Sequence, residues 1–252
     1  MKALCISDLH ACASFPMPVT LPNGRPSRFQ DLLDILRQVR AIIEREQPDD
    51  LFILGDVFHR RMFIRFSLFN DVYDALRELT LTVKQTIILV GNHDIEDESG
   101  THALHAFAGL PHTVVVDTPT VMTLADGEEA VLAVPYLPNP EAVTRAIERA
   151  PALPVLAHYA AEGMPVHNDW HLDSPLKMGE LARFPLCLFG HVHQPSDHLD
   201  GKVVVVGAPQ HHDFGDTGTR GAVFVDGLEW ARIPLEFPTF VTARWPKCPP
   251  AS

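Results

Sequence analysis

The sequence predicts a layered α/β fold, a mixed β-sheet core with helices covering both sheet faces. Three observations carry this. Short runs rich in Val, Ile and Leu alternate with stretches whose apolar residues recur at helical spacing. Strand signals joined by turns accumulate late in the chain, which argues for mixed rather than purely parallel sheets. Apolar residues make up 46% of the 252 positions, enough for a sizeable buried core.

In chain order, residues 2–7 read as a strand. Residues 29–45 read as an amphipathic helix with Leu32, Leu36, Val39 and Ile43 on its apolar side. A strand at 50–54, a helix at 66–79, a strand at 86–90 and a short helix at 101–107 follow. Residues 113–134 hold two or three strands, with Asp126-Gly127 as a turn signal between them. A helix over 139–150 opens on Asn139-Pro140, a cap followed by proline in the first turn. Next come a strand at 153–157, a short helix at 176–182 and a strand at 186–189. Segments 202–206, 221–225 and 229–234 read as closing antiparallel strands. One domain is expected over 1–236, with a loosely ordered tail over 237–252. The Pro-rich stretch 15–26 reads as a surface loop able to shape substrate access.

The formal net charge of −12 argues against a protein that coats nucleic acid indiscriminately, and suits a carboxylate-rich site neutralised by metals. Cys5, Cys12, Cys187 and Cys248 form no C-x-x-C pair and are too sparse for a disulfide framework. No apolar stretch approaches the ~20 residues of a membrane span, and the N-terminus lacks a signal-peptide core. The expectation is a cytoplasmic protein without a membrane partner.

Fourteen histidines are roughly twice the usual complement, and their placement is informative. Five polar clusters each follow an apolar strand: Asp8-Leu9-His10, Gly55-Asp56-Val57-Phe58-His59, Gly91-Asn92-His93-Asp94, His158, and Gly190-His191-Val192-His193. Ligands of α/β sheets bind beyond the carboxyl ends of strands, so the clusters can converge. Asp-x-His and His-x-His spacings let two side chains reach one cation from an extended turn. Asp56 has two oxygens and can bridge two cations, and Asn92 adds a neutral carbonyl oxygen. This N/O set suits Mn, Fe or Zn better than Ca or Mg. Two cations ~3.5–4 Å apart can activate water and clamp a phosphate, whose negative charge otherwise repels the nucleophile. The glycines before the ligands serve tight turns or close backbone approach. His102, His105, His112, His167, His171 and His198 have no such support and read as solvated or satisfied loop residues.

The ordered series from Asp8 to His193 resembles the calcineurin-like metallophosphoesterases. The resemblance implies two mixed β-sheets flanked by helices in four layers, with a dinuclear site at one edge. One metal would be held by Asp8, His10, Asp56 and His193, the other by Asp56, Asn92, His158 and His191. His93 would donate a proton to the leaving oxygen, with Asp94 orienting it. Two further features resemble the SbcD-type DNA repair exonucleases. His59 follows the bridging aspartate by three residues, and implies a role in positioning the nucleotide. The segment Val206-Gly207-Ala208-Pro209-Gln210-His211-His212-Asp213-Phe214-Gly215-Asp216, then Arg220-Gly221-Ala222, is similar to one that follows the core in those nucleases and their phage relatives. The larger members continue into a DNA-binding cap and a segment that docks a coiled-coil ATPase. Neither is evident here, so the expectation is a minimal, phage-like form.

The leading expectation is thus a Mn-dependent DNA exonuclease or endonuclease hydrolysing phosphodiester bonds. Arg60 and Arg61, with Arg65, Arg25 and Arg28, are candidate phosphate contacts, although the same arginines also fit a solvated helix start. The alternatives are a phosphodiesterase for cyclic or other small nucleotides and a non-catalytic scaffold that keeps the fold.

Overall fold

The computed structural model describes residues 1–13, 18–97, 99–166, 170–171 and 174–240. Its elements are β1 (Lys2–Ile6), α1 (Ser27–Glu46), β2 (Asp50–Ile53), α2 (Phe66–Thr80), β3 (Gln85–Leu89), a 3-10 helix (Ala103–Gly109), β4 (Thr113–Val116), β5 (Thr120–Thr123), β6 (Ala130–Val134), α3 (Pro140–Arg149), β7 (Val155–His158), β8 (Pro165–Val166), β9 (Trp170–His171), α4 (Met178–Leu181), β10 (Cys187–Gly190), β11 (Ser196–His198), β12 (Val203–Val205), β13 (Gly221–Asp226) and β14 (Glu229–Pro234).

Two six-stranded sheets form, in orders β14-β13-β1-β2-β3-β4 and β11-β12-β10-β7-β6-β5. Parallel strands occupy the middle of each; antiparallel pairs close both edges of the second sheet and one edge of the first, whose other edge strand, β4, runs parallel to β3. The side-chain period of two explains the layering. Cys5, Phe52 and Leu89 of the first sheet meet Ala133, Leu156, Leu188 and Val204 of the second in the central core. The alternate residues Leu4, Leu51, Ile53 and Ile88 pack under α1 and α2. Leu132, Val155, Cys187 and Phe189 pack against Val143 and Ile147 of α3 and Leu181 of α4. Helix, sheet, sheet and helix therefore make four layers, as the resemblance implies. Asn139 caps α3 by accepting from the Glu141 amide at 3.0 Å, with Pro140 in the first turn.

The structure corrects several details. The segment at 203–205 joins the second sheet parallel to β10, and its antiparallel partner is β11, a strand too short and polar to be read from periodicity. Residues 103–109 form a 3-10 helix. Phe237 packs against the His211 ring, and the Pro238 carbonyl accepts from Arg28. Residues 241–252, His167 and residues 15–17 of the Pro-rich loop lie outside the described residues. Cys5, Cys12 and Cys187 are buried. Among the described residues no helix is long and apolar enough to cross a membrane.

One buried carboxyl at the start of an interior strand makes stability depend on pH. Asp50 opens β2, is buried, and accepts from the Ala125 amide at 3.1 Å. Burial first, then Asp49 and Asp126, push it up to about 6. The folded chain thus holds this proton to higher pH than the unfolded chain, whose Asp titrates near 3.9. Its contribution is fully present below about pH 4 and is lost as pH rises through about 6. Asp50→Asn is expected to gain stability relative to the parent between pH 4 and 7.5, by ~1–2 kcal/mol after solvent screening. Urea unfolding with chelator present measures that difference, and equal differences at both pH values contradict it.

Candidate metal centre

The five clusters leave the carboxyl ends of β1, β2, β3, β7 and β10, so the edges of both sheets feed one site. Asp8, His10, Asp56 and His191 adopt left-handed backbone, with φ of 53, 45, 53 and 81°. Such a conformation costs a non-glycine residue ~1–2 kcal/mol, and it persists only where surroundings over-determine it. Here the first two loops are zipped together. The amides of Asp8, His10 and Ala11 donate to the carbonyls of Gly55, Asp56 and Val57 at 2.9–3.1 Å. Glycine is required by close approach. A side chain at Gly91 would run into the backbone and carboxylate of Asp56, and one at Gly55 into the His158 ring.

The ligand candidates divide into two poles. At one, the Nε2 atoms of His10 and His193 face each other at 2.9 Å, and His10 Nε2 lies 3.4 Å from Asp56 Oδ2. Asp8 joins this pole, its two oxygens accepting from the His191 amide at 3.1 Å each. At the other, Asn92 Oδ1 lies 2.8 Å from His191 Nδ1 and 3.1 Å from His158 Nε2, which is 3.4 Å from Asp56 Oδ1. Asp56 thus turns one oxygen to each pole. His158 Nδ1 donates to the Leu54 carbonyl at 2.5 Å, which fixes the tautomer and leaves Nε2 facing the site.

The electrostatics agree with a cation-binding role. Asp8 and Asp56 are at most 1% exposed, yet buried carboxylates are costly without positive partners. Burial raises Asp8. Burial opposes ionisation of Asp56 too, but His158, His10 and His93 around it hold it well below the usual carboxylate range. Burial alone would lower His158, but Asp56 outweighs it and pushes that ring up to about 9. Burial lowers His10 well below its ordinary value and brings His191 to about 3, so both rest as neutral imidazoles with lone pairs to offer. Two buried carboxylates, an amide oxygen and four converging imidazoles fit two divalent cations.

His93 and His59 border the first pole, their rings 4.8 and 5.2 Å from that of His10. His93 Nδ1 donates to the His59 carbonyl at 2.7 Å, so that carbonyl orients the ring. Asp94 does something other than the expected orienting: fully buried, it accepts from the amides of Val57, Phe58 and Gly91 at 2.9–3.3 Å and ties the second and third loops together. Burial, then Asp56, push it up to about 7. Arg60, Arg61 and Arg65 are exposed beyond His59. Arg25 and Arg28 are not free phosphate contacts. Arg25 pairs with Asp71 at 2.7 Å, and Arg28 is buried with its guanidinium on the His211 carbonyl.

His212 escapes the motif reading. Its ring lies 5.0 Å from that of His10 and 4.8 Å from that of His193, at the first pole. Only its place in a segment after the metal motifs hinted at this, since no ligand spacing marks it.

A family model described as calcineurin-like phosphoesterase matches residues 1–195. No curated protein matches the chain. Similar solved structures include Yfce, a phosphoesterase from E. coli (15% identity over 90% of this chain and 89% of that one, TM-score 0.44). A dimetal phosphatase from Danio rerio is also similar (11%, 90% and 93%, TM-score 0.49). So is the nuclease MPE from Pseudomonas putida (15%, 88% and 82%, TM-score 0.38).

Proposed function

The chain belongs to the calcineurin-like phosphoesterases, a dimetal-dependent family, and on that basis we propose that it is a two-metal phosphodiesterase whose substrate is DNA. Asp8, His10, Asp56 and His193 would hold one cation, and Asp56, Asn92, His158 and His191 the other, with Mn the metal that best suits this mixed set. When bound, the cations supply positive charge against the phosphate oxygens and a water acidic enough to attack at neutral pH. His93, with Nδ1 engaged by the His59 carbonyl, has Nε2 left to deliver a proton to the leaving oxygen.

The observation that carries the DNA reading is the surface running outward from His59. His59 Nδ1 meets His10 Nδ1 at 3.2 Å. With His10 Nε2 turned to the first pole, its Nδ1–H donates to His59, which places the His59 ring beside the position a substrate phosphate would take. Beyond it stand Arg60, Arg61 and Arg65, together with Met62, Phe63 and Phe66, whose exposure reaches 79% at Phe63 and 88% at Phe66. Exposed aromatics beside arginines suit stacked bases and a phosphate backbone, even on an acidic body.

Parallel Mn assays on labelled single- and double-stranded DNA, cyclic nucleotides and a model diester test this. Turnover of DNA supports it, and turnover of the small esters alone overturns it. His59→Ala is expected to reduce DNA hydrolysis about 10-fold or more beyond its effect on the model diester. Equal losses on both would remove the nucleotide-positioning role.

A further inference from the structure

We propose that His212 is a further protein ligand to the cation of the first pole, adding a third imidazole to those of His10 and His193. This rests on the two-cation reading above. Ligand atoms of His10, His193 and His212 lie within 4.8 Å of one another. Nitrogens bound to one cation at ~2.1 Å sit roughly 3–4 Å apart, so small ring adjustments bring all three onto it. The rings meet edge to face, His212 at 90° to His10 and 79° to His193, as rings aimed at a shared point do.

The segment carrying His212 is built to hold it there. The His212 amide donates to Asp216 Oδ2 at 2.6 Å. Arg220, fully buried, pairs with Asp216 Oδ1 at 2.8 Å, with Gln194 Oε1 at 3.1 Å, and with the His193 carbonyl. One guanidinium therefore fixes the backbone of both His193 and His212. The Ala208 amide also donates to the His193 carbonyl at 3.0 Å, joining the two segments directly. From the other side, the Arg28 guanidinium donates to the His211 carbonyl. Such outer support is what keeps a ligand in place for its metal. A third imidazole makes this pole richer in nitrogen than the other and biases it toward transition metals over Mg.

The test is calorimetric titration of wild type and His212→Ala with Mn2+ alone, after chelator treatment. The variant is expected to lose about 100-fold or more in affinity at one of the two sites and to keep the other, since loss of an outer partner alone costs about 10–100-fold. Spin-echo measurement of nitrogen couplings to Mn2+ is expected to show one imidazole fewer in the variant. Melting in chelator controls for folding: metal-free midpoints should match, while the rise on adding Mn2+ should shrink in the variant. Unchanged affinities at both sites, or unchanged nitrogen couplings, would overturn the role of His212 and leave the dinuclear reading standing. A wild-type chain that binds no Mn2+ would overturn both.

Discussion

An Asp56→Asn variant is expected to lose affinity for both cations together, whereas His193→Ala and His158→Ala each weaken one. The reason is the division of labour between the oxygens of Asp56. Oδ2 lies 3.4 Å from His10 Nε2 and Oδ1 lies 3.4 Å from His158 Nε2, so the carboxylate spans the two poles. Asparagine keeps one carbonyl oxygen and replaces the other with an amide nitrogen, which cannot accept a cation. It also removes the charge that raises His158 and opposes the lowering of His10. Weakening by about 100-fold or more at each site follows, because a direct ligand matters more than the outer partners whose loss costs 10–100-fold. Stability falls with and without metal. The metal-free chain loses the carboxylate that His158 holds ionised and leaves that ring without its buried partner, so the variant should melt lower in chelator, and lower still relative to the parent in Mn2+. Loss at a single site would contradict the bridging role.

His93→Ala is expected to keep both cations and lose hydrolysis by roughly 10²–10⁴-fold on substrates with a poor leaving group. His93 sits beside the first pole, its ring 4.8 Å from His10, and its amide donates to Asp56 Oδ1 at 2.8 Å. That amide survives the substitution, so the position of Asp56 does too. A nitrophenolate leaves without a proton, so an activated ester should lose far less than DNA. Loss of metal, or equal losses on activated and unactivated esters, would contradict a proton-donor role and point to a structural one.

Much of this centre is legible in the chain because its ligands obey local rules. Each motif follows an apolar strand of a few residues, and the left-handed turns that aim Asp8, His10, Asp56 and His191 are set by the loops at those strand ends. What escapes the sequence depends on long-range pairing. Strand β12 looks like any closing strand, and its parallel alignment with β10 is decided across the sheet. Arg28 resembles a solvated loop arginine until α1 starts at Ser27 and buries it under the His211 segment. Asp94 stands next to His93 in the chain, yet its carboxylate turns inward to three amides. His212 meets His10 only because the fold returns the chain from β12 past the edge of the first sheet.

The central claim is that these strand ends hold two cations in one centre. Equilibrium dialysis against Mn2+ at increasing free concentration, with elemental analysis of the chain and DNA hydrolysis followed on the same samples, tests it most directly. The account predicts saturation at two Mn2+ per chain, with activity rising only as the second site fills. Saturation at one, or full activity in the chelator-treated chain, would contradict it.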